Sequence, residues 1–242
     1  MDGQSLNESF TNNESTLSRR PLMESQASSP YVPALRFKWL TKYYDIIVGF
    51  TTREATFKAA LLNQAAIQPG ERVVDIGCGT GTLAIRAKEL HRDADIAGVD
   101  GDPEILSIAH DKARLNKVTV QFDQALSYSL PYGDESTDVV TTSLFFHHLN
   151  DEEKSQTATE ALRILKPGGR LLVADWGEPS NQLMRALFFL IQILDGFDNT
   201  RANVNGELPA IIQRVGFTEV RRRLQFDTIF GTLILSEYAK RM

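Results

Sequence analysis

The chain contains a single cysteine, Cys78, among its 242 residues, so no disulfide can form within it. Metal sites built on several thiolates are excluded for the same reason, and we expect no metal. Basic residues are also fewer than acidic ones, at 26 Lys and Arg against 31 Asp and Glu, so the formal net charge is −5. A chain of this charge has no overall positive field to attract nucleic acid, so we expect no nucleic-acid partner.

The amino terminus has no long apolar run. Residues 1–30 carry seven serines and three asparagines without hydrophobic periodicity, a composition that predicts a disordered tail. No apolar core of a secretory signal lies there, so we expect the protein in the cytoplasm. The chain is 42% hydrophobic, and residues 31–242 are long enough to form one α/β domain.

The most informative stretch is residues 73–81, which read Val-Val-Asp-Ile-Gly-Cys-Gly-Thr-Gly. The apolar run predicts a buried strand, and the three glycines predict a tight turn at the start of a helix, where a ligand can approach the backbone. Nineteen residues past Gly81, Asp100 ends the next apolar run, and an acid there can accept hydrogen bonds from both ribose hydroxyls. Together these features predict a site for a nucleoside-bearing cofactor. For the glycine loop alone, an ordinary strand-to-helix turn is the alternative.

Strand and helix patterns alternate through the middle of the chain. Strands are predicted at 72–76, 95–99, 118–122, 138–143 and 170–175, and helices at 81–91, 103–115 and 151–165. Asn150 is the expected N-cap of the last of these helices, with Glu153 at the reciprocal position. The alternation predicts a parallel sheet with helices on both faces.

The two ends of the domain are patterned differently. Two helices, 34–48 and 53–66, are predicted before the first strand. Two more follow the fifth strand, at 181–196 and 207–215. Two closely spaced strands, 217–226 and 228–238, are predicted to finish the sheet.

Four ordered blocks resemble the class I S-adenosylmethionine (SAM) methyltransferases. Residues 73–81 resemble their motif I, and Asp100 stands where that family has its ribose-binding acid. Residues 130–140 resemble the L-P-F-x-D-x-S-F-D-x-V block of the family, and residues 165–173 resemble its L-K-P-G-G-x-L-x-V block. The chain is most similar to the ubiquinone/menaquinone methyltransferase-like group, also called methyltransferase type 11.

This resemblance implies a fold and a cofactor. The implied fold is α/β, a Rossmann-like three-layer sandwich with a seven-stranded, mostly parallel sheet, an antiparallel last strand and helices on both faces. The implied cofactor is SAM, and the implied activity is SAM-dependent methyl transfer to a small molecule. The resemblance implies these cofactor-binding residues: Tyr44, Asp75, Gly77, Cys78, Gly79, Asp100, Gly101, Asp123, Gln124, Ala125 and Ser143. The family has Asp-Ala where this chain has Asp123, Gln124 and Ala125, so the partner of the adenine amino group is left open.

The loop after the fourth predicted strand contains two histidines, His147 and His148. In the family this loop lies beside the methyl group, and histidine titrates in the range that suits a general base. His147 is therefore the candidate base, and the alternative is that both histidines pack and hydrogen-bond at the turn. For Asp175 and Trp176, at the end of the fifth strand, both substrate contact and packing stay open.

The apolar helix 181–196 bears on the substrate. Its stripe includes Met184, Leu187, Phe188, Leu190, Ile191 and Leu194. We expect a lid over an apolar or aromatic small molecule, with a core helix or a subunit contact as alternatives; the helix is too short to span a membrane. Residues 143–149 lack the Asn-x-x-Leu-Arg segment of the quinone enzymes, so a quinone substrate is possible but not implied.

Two other functions compete with an enzyme that methylates a small molecule. A protein that binds SAM without transferring its methyl group, or a regulatory partner, would need the same cofactor motifs. A nicotinamide oxidoreductase is less well supported, because Thr82 stands where the nicotinamide motif has its last glycine.

Overall fold

The computed structural model describes residues 54–220, 223–229 and 231–241. The predicted tail, the predicted helix 34–48 and Tyr44 lie outside these residues. The helices are α1 (Glu54–Ala65), α2 (Thr82–Leu90), α3 (Pro103–Leu115), α4 (Asp151–Ile164), α5 (Gln182–Asp195), α6 (Phe197–Val204) and α7 (Leu208–Val215), with a 3₁₀ turn at Phe146–His148. The strands are β1 (Arg72–Ile76), β2 (Asp95–Asp100), β3 (Gln121–Gln124), β4 (Thr137–Ser143), β5 (Leu165–Trp176), β6 (Thr218–Glu219), β7 (Leu224–Asp227) and β8 (Thr232–Ala239).

The sheet has the strand order β3-β2-β1-β4-β5-β8-β6. Strands β1 to β5 are parallel, and β8 runs antiparallel to β5. β6 and β7 pair with two successive stretches of β8, so the eight strands occupy seven positions. The Rossmann-like, mostly parallel sheet with an antiparallel last strand is confirmed.

Helices cover both faces of this sheet because its central strands are apolar on both sides. Val73 of β1 belongs to the core on one face, and its neighbour Val74 belongs to the core on the other. On the first face they meet α1, α2 and α3, and on the second they meet α4 and α7. Alternate side chains of a strand point to opposite faces, which explains why two adjacent valines are both fully buried.

The order of the strands creates a switch point between β1 and β4. The chain proceeds outward from β1 through β2 to β3, and then returns to the other side of β1 as β4. In such sheets ligands bind outside the carboxyl ends of the strands at the point where the order reverses. The residues that follow β1, β2, β3, β4 and β5 therefore converge on one edge.

Most predicted boundaries agree with the structure within one or two residues, but the last strands differ. β5 begins at Leu165 rather than at 170, because Leu165 already pairs with Thr137 of β4. The strand predicted at 217–226 is divided into β6 and β7, which pair with different stretches of β8. The strand predicted at 228–238 begins only at Thr232, because the Thr228 N–H donates to the Gly231 carbonyl in a turn before β8.

The third strand and the sixth helix, β3 and α6, also differ from the prediction. The structure places β3 at Gln121–Gln124 rather than at 118–122, because Val118 donates its backbone N–H to Ala113 and completes the end of α3. Helix α6 was not predicted, because Gly196 separates it from α5 and its pattern is weak. The predicted N-cap of α4 is confirmed, since Asn150 and Glu153 form a reciprocal capping box.

Candidate functional site

The glycine loop joins β1 to α2 with three left-handed backbone conformations. Gly77, Gly79 and Gly81 have φ angles of 66°, 53° and 75°. A Cβ on Gly77 would lie 2.1 Å from a ring carbon of Phe145, so a side chain there is excluded by packing. A Cβ on Gly79 would have no heavy atom within 4 Å among the described residues. Gly79 therefore presents an open backbone face that a ligand can approach.

Asp100 lies beside this loop at the end of β2. Its Oδ2 accepts a hydrogen bond from the Gly79 N–H at 2.9 Å, and its Oδ1 accepts one from the Asp102 N–H at 3.0 Å. Burial raises the pKa of Asp100, although both backbone hydrogen bonds act to lower it. Each carboxylate oxygen can accept more than one hydrogen bond, so the acid retains the capacity to accept from hydroxyls.

Two of the implied cofactor residues have their side chains underneath the loop. The carboxyl group of Asp75 is buried in the sheet, where Thr141 Oγ1 donates to its Oδ1 at 2.8 Å. Burial raises the pKa of Asp75 to about 7. The thiol of Cys78 packs against Gly98, and burial raises its pKa well above the usual value. Both side chains thus support the loop from below.

Asp123 and Gln124, the two side-chain candidates for the adenine contact, have different partners at the end of β3. Gln124 Nε2 lies 3.4 Å from the Gly101 carbonyl oxygen, and the Ala125 N–H donates to the Asp100 carbonyl at 3.1 Å. Asp123 instead accepts a hydrogen bond from Tyr132 Oη at 2.8 Å. The structure therefore brings Gln124, Ala125 and Gly101 together with Asp100.

Tyr132 is held in place by its surroundings. Burial raises the pKa of Tyr132, and its hydrogen bond to Asp123 raises it further. The guanidinium carbon of Arg72 lies 5.2 Å from the centre of the tyrosine ring. The phenol is therefore a donor to the carboxylate of Asp123 and stays protonated.

The loop after β4 packs directly onto the glycine loop. Ser143 is the last residue of β4 and pairs with Ala174 of β5. Leu144 then adopts a positive φ of 53°, which is uncommon for a residue with a branched side chain. This turn places the ring of Phe145 over Gly77.

Asp175, at the end of β5, holds this loop from beneath. Its Oδ2 accepts backbone hydrogen bonds from Phe145 at 2.9 Å and from Phe146 at 2.7 Å. Its Oδ1 lies 2.8 Å from His147 Nδ1. Burial acts to raise the pKa of Asp175, but the charge that His147 carries when protonated, its hydrogen bond and the backbone N–H donors outweigh burial, so the pKa is lowered. Asp175 is therefore an ionised carboxylate with partners on both oxygens.

The two histidines have different environments. Only 3% of the His147 surface is exposed, and its ring is fixed by Asp175. The ring of His148 lies 4.0 Å from that of His147 between centroids and keeps part of its surface exposed. Burial, followed by the charge that His147 carries when protonated, lowers the pKa of His148 well below its usual value. His148 is therefore neutral at physiological pH.

Two buried polar side chains from outside the predicted set complete this region. Asn203 of α6 donates from Nδ2 to Asp175 Oδ1 at 3.2 Å and to the Trp176 carbonyl at 3.1 Å. Lys154 of α4 donates to the carbonyls of Leu149 and Asn199, and burial lowers its pKa. The sequence gives no signal for either residue. Helix α6 was not predicted, and a lysine within a helix is ordinarily expected to face solvent.

Helix α5 lies next to this region and corresponds to the predicted apolar helix 181–196. Phe188 is fully buried, and its ring meets that of Trp176 at 5.5 Å between centroids. Leu183, Phe189 and Ile193 are at least half exposed. Three residues of the expected stripe, Leu190, Ile191 and Leu194, have side chains outside the described part of the structure. Among the helices of that part, none has the length and apolarity needed to cross a bilayer.

Comparison with known proteins agrees with this geometry. A family model described as a methyltransferase domain matches residues 73–169. An uncharacterized methyltransferase of Synechocystis sp. is 29% identical over 171 residues, which cover 71% of this chain and 78% of that protein. A demethylmenaquinone methyltransferase of Deinococcus radiodurans is 34% identical over 175 residues, which cover 71% of each protein.

A solved structure supports the same fold. The crystal structure of a SAM-dependent methyltransferase from Methanosarcina mazei superimposes with a TM-score of 0.59 at 21% identity, over 73% of this chain and 95% of that one. The region matched by the family model contains the glycine loop, Asp100 and the histidine loop. The chain therefore belongs to the class I SAM-dependent methyltransferases and is an enzyme close to their ubiquinone/menaquinone methyltransferase-like group.

Proposed function

We propose that this methyltransferase methylates a small apolar or aromatic metabolite, with a quinol-type ring as the first acceptor class to test. The observation that carries the proposal is the contact between Trp176, at the end of β5, and Phe188 of α5. This contact brings an apolar helix to the same edge of the sheet as the glycine loop. These two rings anchor the helix and are themselves buried, whereas Phe189 on the same helix is half exposed. An acceptor bound beside the helix would meet this apolar and aromatic surface, which favours flat apolar molecules. The relative from Deinococcus radiodurans named demethylmenaquinone methyltransferase supports a quinol ring.

The residues of the glycine-loop edge fit SAM. The open face of Gly79 would receive its methionine part, and the half-buried carboxylate of Asp100 would accept from its ribose hydroxyls. Gln124 is our candidate for the adenine contact, because its amide lies beside Gly101 whereas Asp123 is engaged by Tyr132. Bound SAM would supply an electrophilic methyl group carried by a sulfonium.

Methyl transfer is an in-line displacement, so the main task of the protein is to hold the acceptor atom about 3 Å from the methyl carbon. Such positioning can contribute roughly 7–11 kcal/mol to lowering the barrier. The loop that carries Phe145 is suited to this task, since Asp175 fixes its backbone at two consecutive amides.

A phenol, an enol or an acidic carbon must also lose a proton when it is methylated. We propose His147 as the group that accepts this proton, which would contribute about 10²–10⁴-fold to the rate. Its support is the hydrogen bond to Asp175, because a carboxylate behind a histidine orients the ring and stabilises its protonated form. The competing hypothesis is a purely structural His147, and the effect of replacing it on turnover distinguishes the two.

The test is transfer of a radiolabelled methyl group from SAM to a panel of acceptors, with the product identified by its mass. The panel should contain reduced naphthoquinones that lack a ring methyl group, simple phenols, and highly charged acceptors of similar size. We expect transfer to the apolar ring compounds. Activity confined to charged, polar acceptors would contradict the proposal. Tight binding of SAM without transfer to any acceptor would favour the non-catalytic alternative.

A further inference from the structure

Lys112 of α3 contacts the second half of the glycine loop. Its Nζ lies 2.8 Å from Thr80 Oγ1 and 2.8 Å from Thr82 Oγ1. Thr80 stands inside the loop, and Thr82 is the first residue of α2. The two hydroxyl oxygens are themselves 3.4 Å apart, so the ammonium group bridges the end of the loop and the start of the helix.

The loop needs such support because its glycines are flexible, and fixing them in one conformation costs entropy. Gly77, Gly79 and Gly81 all hold positive φ angles, and glycine loses more conformational entropy than any other residue when it is fixed. The first half of the loop is held through its backbone N–H groups, because the Cys78 N–H donates to the Val99 carbonyl and the Gly79 N–H donates to the carboxylate of Asp100. The second half has one backbone hydrogen bond, from the Gly81 N–H to the Cys78 carbonyl, and the hydrogen bonds from Lys112 add to it.

We propose that Lys112 is a positioning residue for cofactor binding, which holds Thr80 and Thr82 so that the glycine loop is already in its ligand-binding shape. The inference rests on the proposed binding of SAM at this loop. A hydrogen bond from a charged donor is stronger than one between neutral groups, so one lysine can restrain both hydroxyls. A loop fixed in advance binds more tightly, because less entropy is lost when the ligand arrives.

The position of Lys112 determines which part of the ligand depends on it. Its contacts lie beyond Gly79, on the side of the loop that we assign to the methionine part of SAM. The ribose is assigned to Asp100, which is held independently by Gly79 and Asp102. Loss of Lys112 should therefore weaken ligands that carry the amino-acid group more than ligands that contain the nucleoside alone.

The experiment is calorimetric titration of Lys112→Met with two compounds. S-adenosylhomocysteine carries the amino-acid group, whereas 5′-methylthioadenosine has the same nucleoside without it. We expect affinity for S-adenosylhomocysteine to fall about tenfold, which corresponds to the loss of one charge-assisted hydrogen bond, and affinity for methylthioadenosine to fall less than about threefold. Lys166→Met is the matched control, because Lys166 pairs with Asp138 at the start of β4 and should leave both affinities unchanged.

Three further measurements separate positioning from general stability. Lys112→Arg keeps the charge and should recover part of the affinity. Thr80→Val removes one acceptor, and its effect should not add fully to that of Lys112→Met, because the two residues act through one contact. The melting temperature of the ligand-free Lys112→Met variant should stay within a few degrees of the wild type, since the lysine is only half-buried.

Each other outcome has a definite meaning. Equal losses for the two compounds would overturn the inference, because they would indicate a loosened domain. Wild-type affinities in Lys112→Met would overturn it as well, while leaving the cofactor site in place. A wild-type protein that binds neither compound would overturn the assignment of the loop to SAM, and the role of Lys112 with it.

Discussion

Asp175 and His147 form a buried pair at the carboxyl edge of the sheet, with 2.8 Å between Asp175 Oδ1 and His147 Nδ1. The same carboxylate accepts the backbone N–H groups of Phe145 and Phe146. A single side chain thus positions both the histidine ring and the loop that carries it. Because an ionised carboxylate only accepts hydrogen bonds, Nδ1 must carry a proton, and the nitrogen without a proton in the neutral ring is Nε2.

Asp175→Asn should both destabilise the protein and slow the reaction. The amide would place an N–H group where one of the donors now binds, so the histidine ring or the loop loses its partner. We expect a loss of about 3 kcal/mol in the free energy of unfolding, as for the breaking of other buried pairs. Turnover should fall at least about tenfold, as for the loss of His147 itself. Urea unfolding and single-turnover kinetics measure the two effects.

The control for this variant is Asp111→Asn. Asp111 pairs with Arg114 on the exposed side of α3, and its replacement should change the free energy of unfolding by less than about 0.5 kcal/mol. Equal stability of Asp175→Asn and the wild type would show that the buried contacts of Asp175 contribute little.

His147→Ala should lower kcat at least about tenfold without weakening the binding of S-adenosylhomocysteine. The physical reason is that the proton of the acceptor would lose its receiving group, whereas the glycine loop and Asp100 are untouched. Steady-state kinetics against pH and calorimetric titration are the measurements, with His91→Ala, at the end of α2, as the control. Unchanged turnover would rule out the role as a base.

Asp75→Asn should change the pH dependence of stability. Burial raises the pKa of Asp75 to about 7 in the folded protein, above its value of about 4 in the unfolded chain. Between these values the folded state holds a proton that the unfolded state has released, so the contribution of Asp75 to stability falls as the pH rises. The free energy of unfolding of the wild type minus that of Asp75→Asn should decrease by on the order of 1 kcal/mol per pH unit across this window.

This comparison is well matched because an asparagine can still accept the hydrogen bond from Thr141. The difference should become constant above about pH 7, where the carboxyl group has ionised in both states. Urea unfolding between pH 4.5 and about 8 provides the data. A difference that does not vary with pH would contradict the raised pKa.

Two alanine variants of the glycine loop should behave differently. In Gly77→Ala the new methyl group would overlap the ring of Phe145. Its free energy of unfolding should fall by about 1–3 kcal/mol from overpacking, in addition to the cost of backbone strain. Gly79→Ala meets no neighbour among the described residues and should lose only about 1–2 kcal/mol from its left-handed backbone. Its new methyl group would stand on the face that we assign to SAM, so affinity for S-adenosylhomocysteine should still fall at least about tenfold. Wild-type affinity in Gly79→Ala would show that no ligand approaches that face.

Phe188 and Phe189 form an adjacent pair for testing the apolar helix. Phe188→Ala removes a fully buried ring and should lower the free energy of unfolding by about 3–5 kcal/mol. Phe189 is 50% exposed, so Phe189→Ala should lose less than about 1 kcal/mol. If α5 covers the acceptor, Phe189→Ala should raise the KM of an apolar acceptor at least about threefold. An unchanged KM would count against the lid.

Most of the fold could be predicted because its signals are local in the chain. The run before Gly77 marks a buried strand, and the three glycines mark a turn that residues with side chains rarely adopt. The reciprocal cap of Asn150 and Glu153 involves residues only three positions apart. Such features depend on neighbouring residues and hold wherever the segment lies.

Other features were not visible because weak local patterns were decided by packing. Val118 and Val120 look like strand residues, yet β3 begins at Gln121, where pairing with β2 starts. Helix α6 has a weak pattern of its own, and it is held by Asn203 and by its contact with Lys154 through the carbonyl of Asn199. Tertiary contacts commonly override propensity in segments this short.

The sequence by itself determined the parallel sheet, the glycine loop and the order in which the candidate site residues follow the strands. Only the tertiary structure decided that Asp175 meets His147, 28 positions away, and that Lys112 meets Thr80, 32 positions away. These distances depend on the register of β4 against β5 and on the packing of α3 beside α2, and no local pattern encodes either. The chain specifies its elements through short-range periodicity, whereas its polar contacts arise only when distant elements pack together.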